Sequence, residues 1–159
     1  MTIQKNRFLV ILVGLLTLGT HPALAAKAPQ SDDKLKESAK QIVSGLVLEV
    51  ASKTQKSKVE TSKGTHRDRV YTIKVLVKSV VKGAGIKPGE HIEIAAWRAI
   101  LRVPPLAGLQ GHSTIPKKGD PVTLYFEGKS GNAYEPLLPN GIKVTAKAER
   151  RSKKKQKAG

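Results

Sequence analysis

The stretch VYTIKVLVKSVV, residues 70–81, decides the fold class predicted for this chain. Tyr71, Ile73, Val75 and Val77 recur at every second position, which is the period of a β-strand. Lysine and threonine fill most of the intervening positions, so one face is expected to pack on a core while the other meets solvent. The stretch predicts a long strand and a chain built mainly from strands.

Hydrophobic runs on both sides of this stretch predict further strands, and turn residues separate them. In the run at residues 42–51, Gly45 indicates a bulge or a sharp bend. Leu46, Leu48 and Val50 are expected to share the core face of that run. The predicted strands are residues 42–51, 90–98 and 122–127, with a closing pair at 134–138 and 142–146.

Two polar or irregular segments interrupt this pattern. Residues 52–69 are rich in basic side chains, and the sequence leaves open whether they form a hairpin around Val59 or a disordered loop. Residues 99–120 are expected to be a long irregular segment, because Pro104 and Pro105 prevent regular ladder hydrogen bonds.

A short helix is predicted before the first strand, within a lead-in of residues 26–41. Ser31 is suited to cap it, and two aspartates follow in the first turn, where the helix dipole favours acidic side chains. Leu35, Ala39 and Ile42 provide a narrow apolar stripe.

Five or six short strands and one minor helix predict a mainly β domain over residues 42–146. We expect a small antiparallel Greek-key barrel of the OB type, because closing a small sheet removes its exposed edges. An open β-sandwich is the alternative.

The N-terminus has the pattern of a secretory signal peptide over residues 1–25. Lys5 and Arg7 precede an apolar run at residues 8–18, and cleavage is predicted between Ala25 and Ala26. The run has 11 residues, and a membrane span needs about 20. We therefore expect no stable membrane span after cleavage. The predicted destination is the periplasm or the medium, reached by the general secretory route.

The charge of the chain is strongly basic. Removing residues 1–25 takes away two of the 29 basic residues and none of the 12 acidic ones, which leaves a net charge of +15. Seven cations crowd residues 147–159, so this tail is expected to be disordered. It either solubilises the protein or binds polyanions such as acidic glycans, lipopolysaccharide or nucleic acid. These tail cations are Lys147, Arg150, Arg151, Lys153, Lys154, Lys155 and Lys157.

Two further surface candidates lie inside the predicted domain. The basic segment at 53–69 could bind polyanions together with the tail. Trp97 with Arg98 could form a surface platform, although Trp97 is also suited to plug the core under the segment that follows. The cations of the basic segment are Lys53, Lys56, Lys58, Lys63, Arg67 and Arg69.

Enzymatic constellations are not evident in the sequence. His66 is expected to be a solvated loop residue, and His91 and Glu93 a polar pair on one strand. The Gly-His-Ser string at 111–113 lacks the spacing of a nucleophile elbow. With no cysteine in the chain, neither a disulfide framework nor a thiolate metal site can form. We expect a non-enzyme that carries no cofactor or metal.

The strings YTIKVLVKSVVKG, IKPGEHIEIAAW, IPKKGDPVTLYFEG and YEPLLPNGI give the chain a resemblance to small secreted bacterial proteins over residues 39–144. The fold that this resemblance implies is similar to the OB-like barrel of netrin modules and tissue inhibitors of metalloproteinases. Those inhibitors bind the catalytic zinc of their target through an N-terminal cysteine. This chain contains no cysteine, so that mechanism is not expected here.

The function expected from the sequence is an exported, non-enzymatic binding or structural module that meets a protein or glycan partner. One alternative is a polyanion binder that uses the tail and the 53–69 segment. The other is an exported inhibitor or enzyme with a site in residues 99–120.

Overall fold

Six strands and one helix make up the fold, which is mainly β as predicted, at 55% strand and 6% helix. The computed structural model describes residues 27–108 and 110–145. The predicted signal peptide, its cleavage site at Ala25 and Ala26, and the basic tail therefore lie outside the described residues. The elements are α1 (Asp32–Ser38), β1 (Gln41–Lys56), β2 (Thr65–Lys82), β3 (His91–Val103), β4 (Pro121–Ser130), β5 (Ala133–Pro136) and β6 (Ile142–Val144).

Hydrogen bonds close the sheet into a ring. β1 pairs with β2, β2 with β3, β3 with β5, β5 with β4, and β4 returns to β1, while β6 adds to β4. The sheet is thus ring-bonded rather than an open sandwich. The expectation of purely antiparallel pairing is wrong at one place, because β3 and β5 are parallel. A ring of five strands cannot alternate in direction all the way round, since five is an odd number.

The main core lies inside this ring. In β2, Ile73, Val75 and Val77 are buried as predicted. In β1 the predicted face is displaced by one residue, since Val43 and Val47 are buried while Leu46 and Leu48 are only half-buried. The ladder shifts register at Gly45, as predicted, and again after Val47. Each irregularity changes which side chains face inward.

The helix covers the outside of β4 and forms a second, smaller core. Ser31 caps it by accepting a hydrogen bond from the amide of Lys34 at 3.3 Å. The helix ends at Ser38, since the backbone of Ala39 is already in the extended conformation that leads into β1. The predicted apolar stripe is buried against side chains of β4 and the chain after β5; this cluster consists of Leu35, Ala39, Ile42, Tyr125 and Leu137.

Three strands continue beyond the core, and we call their continuation the extension: residues 52–56 of β1, 65–70 of β2 and 97–103 of β3. Of the two alternatives left open for residues 52–69, the structure shows the hairpin, with its turn at residues 57–64 around Val59. The irregular segment predicted at 99–120 begins only after Val103. All three strands were predicted too short at the end that lies in the extension, because the extension lacks a buried apolar face.

Candidate ligand-binding cavity and cationic surface

A cavity of about 620 Å³ lies beside the extension. Side chains of β1, β2 and β3 form one side of it. Residues 106–108, 110 and 112 form another, together with the end of β5 and the residues that follow. Most of its lining is apolar, with contributions from Val59, Val70, Ala95, Trp97, Leu106 and Leu138.

A buried ion pair provides the fixed polar group of the cavity. The Nη2 atom of Arg102 donates to Oδ1 of Asp68 at 2.5 Å. Its Nη1 atom donates to the backbone oxygens of Arg67 at 3.0 Å and Leu101 at 2.9 Å. Both side chains are about one-tenth exposed, at 12% for Asp68 and 10% for Arg102. Burial and hydrogen bonding together hold the two charges in one geometry.

Trp97 lines the same cavity and is the single tryptophan of the chain. It is half-buried and lies opposite Val70 in the β2–β3 ladder. Arg98 follows it on the strand, so its side chain points to the other face. The Arg98 guanidinium donates to the backbone oxygens of His112 and Ser113. On this strand geometry, the two side chains of the predicted Trp97–Arg98 platform extend to opposite faces of β3.

His112 anchors the loop wall of the cavity to β3. Its Nδ1 atom accepts from the amide of Trp97 at 3.2 Å, and its Nε2 atom lies 3.2 Å from the oxygen of Pro136. The tautomer with the proton on Nε2 satisfies both contacts. Burial lowers the pKa of His112, because the charged imidazolium would lose its hydration.

The arrangement around His112 does not pair a nucleophile with a base. The hydroxyl of Ser113 donates to the oxygen of Pro139 at 3.1 Å, whereas His112 contacts Trp97 and Pro136. Among residues 27–108 and 110–145, no group of three or more His, Asp or Glu side chains could hold a metal ion.

The cations predicted at 53–69 fall on different surfaces. Lys58 lines the cavity, while Lys53 and Lys63 are exposed elsewhere on the hairpin. Lys56 lies directly opposite Arg67, and both form ion pairs with Glu60.

A second cationic pair lies next to the first. Arg69 is directly opposite Arg98 in the β2–β3 ladder. We call Lys56, Arg67, Arg69 and Arg98 the cationic ladder, because residues directly opposite each other share a sheet face.

Several residues that build the site carried no signal in the sequence. Asp68, Arg102 and Glu60 read as ordinary polar residues of loops. His66 was expected to be solvated and is instead 2% exposed. It is buried because β2 begins before it and the turn at Gly64 packs on its ring. A Cβ at Gly64 would lie 2.9 Å from its Nε2 atom. The sequence did not predict burial here, because residues 60–69 are a run of polar side chains and glycine without apolar alternation.

Comparisons of the chain with protein-family models, with curated proteins and with solved structures find no match. Within the described part of the chain, no helix has the length and apolar character needed to cross a membrane.

Proposed function

We propose that this chain is an exported, non-enzymatic binding module whose ligand occupies the cavity beside Trp97. The make-up of the cavity supports this proposal. Apolar side chains line most of it, and the Asp68–Arg102 pair supplies a fixed polar group. Concave sites of several hundred Å³ with this composition are the usual form of small-ligand sites.

Export is part of the proposal and rests on the pattern of residues 1–25. Expression of the full chain in a bacterium should give a product outside the cytoplasm that begins at Ala26. Mass spectrometry of that product is the measurement. Ala25→Arg should block processing, because signal peptidase needs a small residue there. A wild-type product that keeps Met1 and stays in the cytoplasm would contradict export.

The cavity can be tested with the fluorescence of Trp97, which no other tryptophan obscures. N-phenyl-1-naphthylamine is neutral and apolar, and it absorbs where tryptophan emits. Binding in the cavity should therefore quench Trp97 in a saturable way and produce emission from the probe.

Ala95→Phe provides the decisive variant, because Ala95 lines the cavity and a phenyl ring would fill part of it. We expect it to weaken probe binding by about tenfold or more. The matched control is Val81→Phe, which adds a ring at an exposed position that does not line the cavity. Equal probe binding by both variants would show that the probe binds elsewhere and would contradict the proposal.

A second candidate function, polyanion binding, is favoured by the cationic ladder. Like charges directly opposite each other destabilise a sheet. Within residues 27–108 and 110–145, Glu60 compensates Lys56 and Arg67, while Arg69 and Arg98 form no ion pair. An acidic polymer along the ladder would relieve this repulsion. The seven cations of the tail would add to the electrostatic attraction.

Heparin binding across a salt series tests this candidate. We expect the logarithm of the affinity to fall linearly with the logarithm of the salt concentration. Arg69→Gln should weaken binding, and a chain that ends at residue 146 should weaken it further. Lys118→Gln, which removes one exposed charge outside the ladder, is the matched control. An affinity that does not change with salt would rule out the electrostatic mode.

A further inference from the structure

We infer that the ligand of the cavity is a neutral sugar ring that stacks on Trp97 and hydrogen-bonds to the Asp68–Arg102 pair. The inference rests on the proposed binding function, since it names the ligand of that same cavity. Three observations carry it: the balance of charge, the hydrogen-bonding groups that the ion pair leaves available, and the position of a single large aromatic side chain.

The charges that line the cavity sum to zero. Asp68 and Glu135 are acidic, Lys58 and Arg102 are basic, and the lowered pKa keeps His112 neutral at neutral pH. The cavity therefore offers no net attraction to an anionic ligand. The cationic ladder would attract an anionic ligand, but none of its four residues lines the cavity. A neutral ligand fits the cavity better than an acidic polymer does.

Some donors of Arg102 and some acceptor positions of Asp68 form no hydrogen bond with described residues, and a purely apolar ligand could not bond to them. A guanidinium has five N–H donors and a carboxylate has about four acceptor positions. Contacts with described residues use three of the donors of Arg102 and one acceptor position of Asp68. A hydrocarbon packed against this pair would remove water from the remaining donors and acceptors without replacing the hydrogen bonds that the water made. Such a loss is costly for charged groups. Lipid tails and apolar side chains are therefore disfavoured.

Neighbouring hydroxyl groups match this pair, because each hydroxyl can donate to the carboxylate and accept from the guanidinium. Pyranose rings carry such hydroxyls at their edge and present C–H groups on a face. Trp97 is the only Trp, Tyr or Phe among the described residues that line the cavity, and it offers an indole for that face. A sugar ring satisfies the apolar and the polar parts of the site together.

The test is a titration of the full mature chain with four neutral trisaccharides: maltotriose, cellotriose, mannotriose and triacetylchitotriose. Trp97 fluorescence reports binding, and calorimetry checks it. We expect at least one of them to bind saturably. Its affinity should stay constant between about 0.05 M and about 0.5 M salt, because no net charge is neutralised.

Two variants with the same chemical change separate the ion pair from the rest of the cavity. Asp68→Asn should weaken sugar binding by about tenfold or more, as expected for loss of a hydrogen bond to a charged group. Glu135→Gln also turns a lining carboxylate into an amide, but outside the pair, and should change the affinity by less than about twofold. Binding of N-phenyl-1-naphthylamine shows whether each variant still forms the cavity. If Asp68→Asn does not fold, Ala95→Phe takes its place and should remove sugar binding by filling the space.

The outcomes distinguish this inference from the function on which it rests. If the naphthylamine binds and no trisaccharide does, the sugar inference is wrong and the cavity remains a binding site. If neither binds, both fail. Neutral nucleosides that bind more tightly than every trisaccharide would also overturn the inference, because a base can stack on an indole and bond to the same pair.

Discussion

At the scale of single residues, His112 determines how the wall of the cavity responds to pH. Its pKa is lowered below the usual 6.5 by burial. An unfolded chain therefore takes up a proton at a pH where the folded chain does not. The contribution of neutral His112 to the free energy of unfolding is complete above about pH 6.5. It is lost as the pH falls through the lowered pKa of the folded state, because the unfolded state then binds more protons.

We predict that His112→Gln lowers stability at neutral pH and reduces the loss of stability between about pH 7 and about pH 5. Urea unfolding at each pH is the measurement. His91→Gln is the matched control, since the side chain of His91 is exposed. An unchanged pH slope in His112→Gln would contradict the neutral, buried assignment.

Gly45 is a second residue on which local structure depends. A Cβ there would lie 2.6 Å from the backbone oxygen of Leu76 and 2.6 Å from Cγ1 of Val75. Gly45→Ala should therefore destabilise the protein by about 1–3 kcal/mol, as overpacking in a core usually does. Gly128→Ala, with nothing within 4 Å, should have little effect. Thermal unfolding of both variants checks this, and equal midpoints would refute the close contact.

Sequence reasoning identified the core residues of β2 but missed the polar residues of the cavity. Ile73 and Val75 are apolar side chains at a fixed period, so they carry a signal of their own. Asp68 and Arg102 are 34 residues apart in the chain and meet only through the register of β2 and β3. That ladder shifts register between Arg67 and Asp68, and no glycine there marked the irregularity in the sequence.

At the scale of elements, the hairpin turn of the extension depends on Glu60. Its Oε2 atom accepts from the amide of His66 at 2.7 Å, and its carboxylate pairs with Arg67 and Lys56. The backbone hydrogen bond from His66, helped by the nearby cations, lowers the pKa of Glu60. The ionised Glu60 carboxylate therefore contributes its full stabilisation above about pH 4.5, the usual pKa of glutamate. This contribution is lost as the pH falls through the lowered pKa of the folded state.

We predict that Glu60→Gln opens the turn without unfolding the ring. Hydrogen exchange should accelerate by about tenfold at the amide of Ser57, which bonds to the oxygen of His66. Exchange at Val75 in the core should not change. Glu37→Gln on α1 is the control for loss of an exposed carboxylate. Faster exchange at Val75 as well would mean that the turn and the core unfold together.

The extension also explains why the ends of three strands could not be predicted. Residues 52–56 and 65–69 are almost all polar, so they lack the alternation that marks a half-buried strand. They form strands nonetheless, because each is paired along its length with a strand that the core holds in place. Tertiary context, rather than local propensity, determines their structure.

At the scale of the whole molecule, the ring depends on its parallel link. That link has one residue pair, Ile94 with Tyr134. The Tyr134 ring also packs on Phe126, at 5.2 Å between ring centroids, and Lys129 lies over its face. A closed ring of five strands needs a parallel pair, because an odd number of strands cannot alternate in direction all the way round. The predicted count of five or six strands left this pair open.

We predict that Tyr134→Ala destabilises the protein by about 2 kcal/mol, because it removes packing on Phe126 next to this link. Lys129→Ala removes only the contact over the ring and should cost about 0.5 kcal/mol. Urea unfolding gives both values. Equal losses would indicate that the packing at this position does not hold the ring.

The separation between the core and the extension has a consequence for protein engineering. The core takes its residues from the first half of β1, the middle of β2 and the first half of β3. The cavity takes its strand residues from the end of β1, the start of β2 and the central and final parts of β3. A library that varies Gln55, Val70 and Ala95 would therefore sample new ligand specificities on an unchanged interior. The molecule is suited to serve as a cysteine-free display scaffold, with its own tryptophan as the reporter of each selected interaction.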